Sequence, residues 1–535
     1  MDVQRRNNEN APLKERFLTL YQMLVAQRDF FRKGEVAFPP LGRPNLSELR
    51  KLIRSGASAL PPTYDTIYTR PLLLDLPGLT KELVRLPVDP PNAYKYFVLT
   101  ALTNAGIQPG PMSKVARDVK RLQAVVSDIY TSFLYSESRL KLAGPPKRLN
   151  RPPLSAFIAK HRVFPEAPKP YMLGVDEVAT LTKGLPSKIR VGVVALPSGY
   201  TRHPILWSVL GHEVGGHDLF HGDPGLIEEL QNKTRKLLGD RYSKILGPLW
   251  SYWMEEAAAD VCGVLNIGPA FGISAILYHT VLLPIAQRKR VDRPTLNVTI
   301  YQDPIASENL AEAHPVAAVV PDLLIGAIQE LRLLKPETRH RYISQLQTLA
   351  QLCIGDQKNV NVPKTVLIPD REIPLPTQMS LDEMQKCARE VGGFIATVPL
   401  STLNGKSLSE IEIWDDNDEG AAQLVAAKLT EGQSVVGIQT DTGRPVDDAQ
   451  LLAGALLAAL RKPGLYRGIN VALRRAFDYS YAADQLIHGR LRKSGSLVRI
   501  TGDFAAEPIT LKRGEFVARK RIQGKEGRGA TVVRK

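Results

Sequence analysis

The sequence predicts an α+β protein that is predominantly helical, and three observations carry that expectation. Apolar residues recur at helical spacing over long stretches, as in Phe17, Leu18, Leu20, Tyr21, Leu24 and Val25. Runs that read as strands are short and few. Clusters of proline punctuate the chain, at Gly144-Pro145-Pro146-Lys147 with Arg151-Pro152-Pro153, and again from Val362-Pro363 through Pro369, Pro374 and Pro376. The 535 residues, 44% hydrophobic and 23% charged, are enough for three or four domains and a sizeable core.

Taken in order, residues 1–150 are expected to form a helical N-terminal domain. Leu13 to Arg32 starts after a proline, and a second helical block runs from Ala93 to Leu140, including Val115 to Tyr135. Residues 151–360 form the next unit, with strands expected at Tyr171 to Thr182 and Ile189 to Leu196 ahead of a helical remainder. Residues 379–485 read as helix (Ser380 to Val391), strand (Gly393 to Val398), strand (Ile411 to Trp414), helix (Gly420 to Leu429), strand (Ser434 to Ile438) and two helices. That alternation predicts a small α+β domain. Residues 486–535 read as a basic, strand-rich tail, with strands expected at Ser496 to Ile500, Pro508 to Leu511 and Glu515 to Lys520.

The chemistry concentrates in Gly211-His212-Glu213-Val214-Gly215-Gly216-His217-Asp218, with Glu255-Glu256-Ala257-Ala258-Ala259-Asp260 downstream. Zinc takes imidazole and carboxylate ligands, and a catalytic zinc keeps one position open for water. The two histidines stand five residues apart. On a regular helix, at about 100° per residue, they would diverge by roughly 140° and could not share an ion. One residue absorbed as a π-type bulge returns them to one face, and such bulges mark functional sites. Gly215-Gly216 is the residue type that accepts distorted backbone, at a cost of about 1 kcal/mol each relative to alanine. The unusual spacing therefore supports a metal site.

The pattern His-Glu-x-x-Gly-His resembles the zinc motif of the dipeptidyl peptidase III family, and Glu256-x-x-Ala-Asp260 is similar to the third-ligand helix of gluzincin metallopeptidases. The resemblance covers only about residues 203–270, so the release of dipeptides is not implied. It implies a zincin-like metallopeptidase core with Zn2+ as cofactor. His212, His217 and Glu256 would be the ligands, and Glu213 the general base that activates water for attack on a peptide carbonyl. Asp260 and Glu255 would orient the ligands from behind. These peptidases often use a Tyr or His to bind the oxyanion. Here Tyr301 and His314 are the candidates, and His314 is preferred because it opens the apolar run Val316 to Leu333. In gluzincins the strand before the zinc helix often forms the edge that holds an extended peptide, which would give that role to Val191 and Val193.

Alternatives stay open at this stage. His217 and His221 are four apart, with Asp218 and Asp223 nearby, and form a rival ligand set that needs no bulge. Val261 to Ala286 is apolar enough to suggest a membrane span. Asn266, Pro269, His279 and Pro284 interrupt it, which favours a buried helix pair broken near Gly268-Pro269, and no integral membrane span is expected. Asp415-Asp416-Asn417-Asp418-Glu419-Gly420 imitates a calcium loop, but the twelfth loop position is Ala426, so a solvated turn is expected. Trp207, Trp250 and Trp253 flank the motifs, with core packing as their default role.

Three scattered cysteines and an N-terminus without an apolar run give the expectation of a cytoplasmic location. The net charge is +16, of which the tail from Leu486 carries +9 (13 Lys or Arg against 4 Asp or Glu). That excess suggests a polyanion or acidic partner beside the peptide or protein substrate. No internal repeat, phosphate loop or nucleophile elbow is present. Competing functions are a latent or catalytically silent peptidase-like binding module within an assembly, and a delivered protease toxin.

Overall fold

The computed structural model describes most of the chain between residues 2 and 499; the longest stretches outside the description are 34–48, 79–89, 159–169, 179–188, 297–313 and 500–535. The described residues are predominantly helical. Helix α1 (Asp2–Val25) starts earlier than the apolar pattern implies, and Arg28–Lys33 adds a short turn after it. Helices α2 (Pro90–Ile107) and α3 (Ala116–Leu134) supply the second helical block.

A three-stranded sheet follows, with β1 (Leu154–Ile158), β2 (Tyr171–Leu173) and β3 (Val193–Pro197) in the order β1-β3-β2. Strand β3 pairs parallel with β1 (Leu154 opposite Val193) and antiparallel with β2 (Tyr171 opposite Ala195). Both faces of the sheet are buried, and successive side chains of a strand point to opposite sides. Val193 and Ala195 join the cluster formed with Val98 and Leu102 of α2, while Val194 and Leu196 join the main core. This explains the unbroken apolar run of β3, since burial on both faces removes the polar half of the pattern.

The geometry overturns the expectation for Val191 and Val193. Both are fully buried, and β3 is the central strand with neighbours on each side. Its backbone is already paired with β1 and β2, so no extended peptide can add to it. The outer side of β1 is closed as well. Gln123 Oε1 accepts from Ser155 N (3.0 Å) and Gln108 Oε1 accepts from Phe157 N (2.7 Å), so side-chain amides stand where another strand would lie.

After β3 the chain enters a helix of mixed winding: α-helical Leu210–His212, π-helical Glu213–His217, then α-helical Asp218–Gly222. Against it packs α4 (Met254–Ile267), which ends at Gly268 and is succeeded by α5 (Ala270–Leu277). Gly268 has φ +80°, and a Cβ there would sit 2.4 Å from the Trp414 indole, so only glycine suits the break. This is the helix pair expected at Gly268-Pro269. No described helix is long and apolar enough to cross a membrane. Helix α6 (Val320–Gln329) and the long helix Pro336–Ile354 complete the middle of the chain.

Residues 379–485 differ most from expectation. They form α7 (Leu381–Thr397), Asp416–Thr430, α8 (Asp448–Arg461) and α9 (Tyr466–Ala483). The strand expected at Gly393 to Val398 is the last turn and a half of α7, and Ile411 to Trp414 and Ser434 to Ile438 pair with no strand among the described residues. Burial overrode local propensity. Gly392 and Gly326 let α7 and α6 cross at backbone contact, since an added Cβ would lie 1.9 Å from Leu323 O and 2.0 Å from Arg389 O respectively. The acidic run at Asp415 is a helix cap, with Asp415 accepting from Asn417 N and Asp418 N.

One hydrophobic cluster runs from Leu13 and Phe17 of α1 through Val214 and Met254 to Phe477 of α9, so burial does not stop at either proline-rich boundary. Trp207, Trp250 and Trp253 belong to it and are fully buried. Of the expected tail, the hairpin Arg490–Lys493 with Ser496–Arg499 is present. The strands expected at Pro508 to Leu511 and Glu515 to Lys520 lie outside the described residues, as does Tyr301.

Candidate metal centre

The two site helices meet through glycine. An added Cβ at Gly216 would stand 2.5 Å from Ala259 Cα, and one at Gly211 would stand 2.8 Å from Ile267 Cδ1 and 3.2 Å from Gly263 Cα. Neither glycine has positive φ, so close approach, and not left-handed backbone, is what requires them. The contact carries Glu256 and Asp260 of α4 up to the bulged helix. Glu213–His217 forms one wide turn there, which cancels the divergence that a five-residue spacing imposes.

As a result His212 Nε2 and His217 Nε2 lie 3.2 Å apart, and Glu256 Oε2 lies 3.1 Å from the first and 3.4 Å from the second. Among the described residues this is the group of histidine, cysteine and acidic side chains able to hold a metal ion. Glu256 Oε2 is buried and makes no aligned hydrogen bond despite these short approaches. The nitrogen and oxygen donors converge on a shared point more than they satisfy one another, which is the arrangement a cation needs.

Each imidazole is held from behind by a carboxylate. Asp260 Oδ1 is 2.8 Å from His212 Nδ1, and Glu255 Oε1 is 3.1 Å from His217 Nδ1. Such partners fix the tautomer and raise ligand basicity. Burial by itself lowers the His212 imidazole, but Asp260 and Glu256 overcome it and hold it up at about 10. Burial likewise opposes a charge on His217, and Glu256 and Glu255 raise it well above its ordinary value. The Glu256 carboxyl is pushed up by burial yet held well below the usual range by His314, His217 and His212. The carboxylates favour positive charge at the centre of the cage, and the group could hold a metal ion.

His314 comes to the same place from across the core, with Nε2 2.8 Å from Glu256 Oε2 and its ring stacked at 6.2 Å on that of His212. Glu213 is the first residue of the π turn and is buried. Its charge adds to burial in raising the phenol of Tyr200. Glu255 is the open side, half exposed at its side chain.

The rival ligand set is not assembled. His221 packs against Gly174, whose added Cβ would meet the ring at 2.3 Å, and Asp223 is taken by a buried ion pair with Arg139 at 2.6 Å. Asp218 is buried with neither carboxylate oxygen hydrogen-bonded, and burial pushes it up to about 8. The sequence reading missed His279 as a neighbour of the cluster, since nothing in its spacing ties it to either motif. Its one signal was a polar ring inside an apolar run.

No protein-family model, no curated protein and no solved structure matches the chain.

Proposed function

We propose that the protein is a zinc-dependent peptidase with a zincin-like core, in which His212, His217 and Glu256 hold the metal. The observation that carries this reading is the convergence of His212 Nε2, His217 Nε2 and Glu256 Oε2 across a π turn, each imidazole backed by a carboxylate. Zinc in such a cage supplies Lewis acidity, lowering the pKa of water and polarising a carbonyl. Glu213, next in sequence to His212, accepts the proton of the attacking water and returns it to the leaving amine. Asp260 and Glu255 keep Nδ1 of the two rings engaged, which would leave Nε2 of each to hold a metal ion. His314, whose Nε2 lies 2.8 Å from Glu256 Oε2, would have to exchange that contact to donate a hydrogen bond to the carbonyl oxygen as it gains charge. Three buried cysteines without disulfide partners fit a reducing, cytoplasmic setting.

The test pairs metal content with turnover for wild type, Glu213→Gln, His212→Ala and His221→Ala on a mixed peptide library. Zinc close to stoichiometric in wild type, Glu213→Gln and His221→Ala, with cleavage lost in Glu213→Gln by about 100-fold or more, is expected. Zinc lost on His221→Ala and kept on His212→Ala would overturn the ligand assignment. Full zinc without cleavage by the wild type would overturn the peptidase reading.

A further inference from the structure

Helix α9 commits its inner face to the segment Pro204–Val209 that leads into the bulged helix. Asn470 Oδ1 accepts from Ile205 N at 3.2 Å, Tyr466 OH meets His203 Nδ1 at 3.0 Å, and the Phe477 ring stacks on Trp207 with centroids 5.7 Å apart. A second row ties it to α3, where Asp478 pairs with Arg121 at 2.7 Å and Arg474 with Asp118 at 3.2 Å. The remaining face is open.

Along that face Arg467, Val471, Arg475 and Tyr479 follow one another at intervals of four residues, and all are exposed. Side chains four apart share one side of a helix, and here they stand about 6 Å apart in a row about 18 Å long. A Cβ added at Gly437 would meet the Tyr479 ring at 3.4 Å, so the loop that carries Val436 abuts one end of the row. One added at Gly468 would meet nothing within 4 Å. Six large apolar side chains are exposed among the described residues. Val436, Val471 and Tyr479 belong to this face, and Leu465 immediately precedes the helix. Single exposed apolar residues need no explanation, whereas a cluster of them marks an interaction surface.

The charge of the face is one-sided. From Arg461 to Ala483 five Lys or Arg stand against one acid, a net of +4 (5 minus 1). That acid, Asp478, is taken by Arg121, and Arg467 and Arg475 make no ion pair among the described residues. We propose that the outer face of α9 docks an acidic amphipathic helix of a partner protein. Its carboxylates would meet Arg467 and Arg475, and its apolar side chains Val471 and Tyr479. Cation and apolar group alternating one turn apart are the complement of a helix that alternates acid and apolar residue at the same interval. A nucleic-acid strand would leave Val471 and Val436 without a partner, and a second copy of this chain would bring four unpaired arginines into one interface. Docking there does not depend on the peptidase reading, since α9 supplies no ligand to the metal cluster.

The test titrates fluorescein-labelled synthetic helices of about five turns onto the full-length protein and follows anisotropy. One helix carries Glu and Leu in alternate turns of one face; its twin carries Lys in place of Glu. The acidic helix is expected to bind the wild type with micromolar affinity. Binding about tenfold or more weaker is expected for Arg467→Glu/Arg475→Glu and for Val471→Ser/Tyr479→Ser, with zinc content and melting temperature unchanged. The Lys helix is expected to prefer Arg467→Glu/Arg475→Glu to the wild type, a gain that loss of fold cannot produce. Should a double variant melt lower, Arg475→Gln and Tyr479→Ser replace it. Wild-type affinity in Val471→Ser/Tyr479→Ser, with a single-stranded oligonucleotide bound as tightly as the acidic helix, would overturn the inference in favour of a polyanion face. Dimers of the wild type in sedimentation, lost in either double variant, would overturn it in favour of a second copy. No binding of the acidic helix at about 100 μM would overturn it outright.

Discussion

Gly216→Ala isolates the close helix contact from the chemistry. The new methyl would lie 2.5 Å from Ala259 Cα, 2.6 Å from its Cβ and 3.1 Å from its carbonyl oxygen. Comfortable carbon contacts begin at about 3.5 Å, so the helices must separate by about 1 Å. Most of the opposing atoms are backbone, so no rotamer change can absorb the shift. Ala259 sits between Glu256 and Asp260, and both move with it. A metal site tolerates ligand displacements of about 0.2 Å, so a shift several times larger is expected to weaken zinc binding about 100-fold, or about 2.7 kcal/mol. Stability of the metal-free protein changes less. Overpacking costs about 1–3 kcal/mol, and the better helix propensity of alanine offsets about 1 kcal/mol of it. Zinc affinity is read by competition with a chromophoric chelator, and stability by thermal melting without metal. Gly215→Ala is the control, because its methyl meets Asn266 Nδ2 at 3.2 Å and Ile129 Cγ2 at 3.5 Å, both on side chains. Unchanged zinc affinity in Gly216→Ala, or an equal loss in Gly215→Ala, would refute the claim that helix approach sets the cage.

Two further outcomes follow from the carboxylates. Asp260→Asn is expected to weaken zinc binding by about 10- to 100-fold, and Glu255→Gln by less, since the Glu255 side chain is half exposed while Asp260 is buried; equal effects in the chelator assay would contradict this ordering. Proton linkage gives the last. Without metal, His212 is held up at about 10 from an ordinary value near 6.5, so its contribution to stability is complete below about pH 6.5 and is lost as the pH rises toward 10. Glu256 is held low, so its contribution is present above the ordinary carboxylate range and is lost on acidification. The metal-free protein is therefore expected to melt highest between about pH 5 and pH 7. Zinc requires both imidazoles unprotonated, so its uptake at pH 7 should release about two protons, measurable by calorimetry in buffers of different ionisation enthalpy. Release near zero would show that the rings are neutral before the metal arrives.

The site was more legible in the sequence than the fold around it. A five-residue spacing between two histidines has few physical solutions, and the π turn at Glu213–His217 is the one the chain uses. The break at Gly268-Pro269 was also within reach of residue chemistry, whereas His314, expected as an oxyanion donor, was not foreseen against Glu256. What the sequence could not convey was tertiary contact. Gly392-Gly393-Phe394-Ile395 reads as a strand until α6 is known to cross it at Gly326. Val193 reads as a strand edge until β1 and β2 are placed on both sides of it. The glycines of the bulge were expected to tolerate strain, whereas neither has positive φ and Gly216 makes room for a neighbouring helix.

The π turn also bears on how such a site can be reached by small genetic steps. A π turn is an α-helix that has absorbed one additional residue without losing its direction. Removing either glycine from His212-Glu213-Val214-Gly215-Gly216-His217 leaves histidines four residues apart, which is the spacing that an unbroken helix places on one face. The two spacings are thus neighbours separated by a single in-frame codon. Either spacing brings the two imidazoles to one face, and in both Glu213 stays next in sequence to His212.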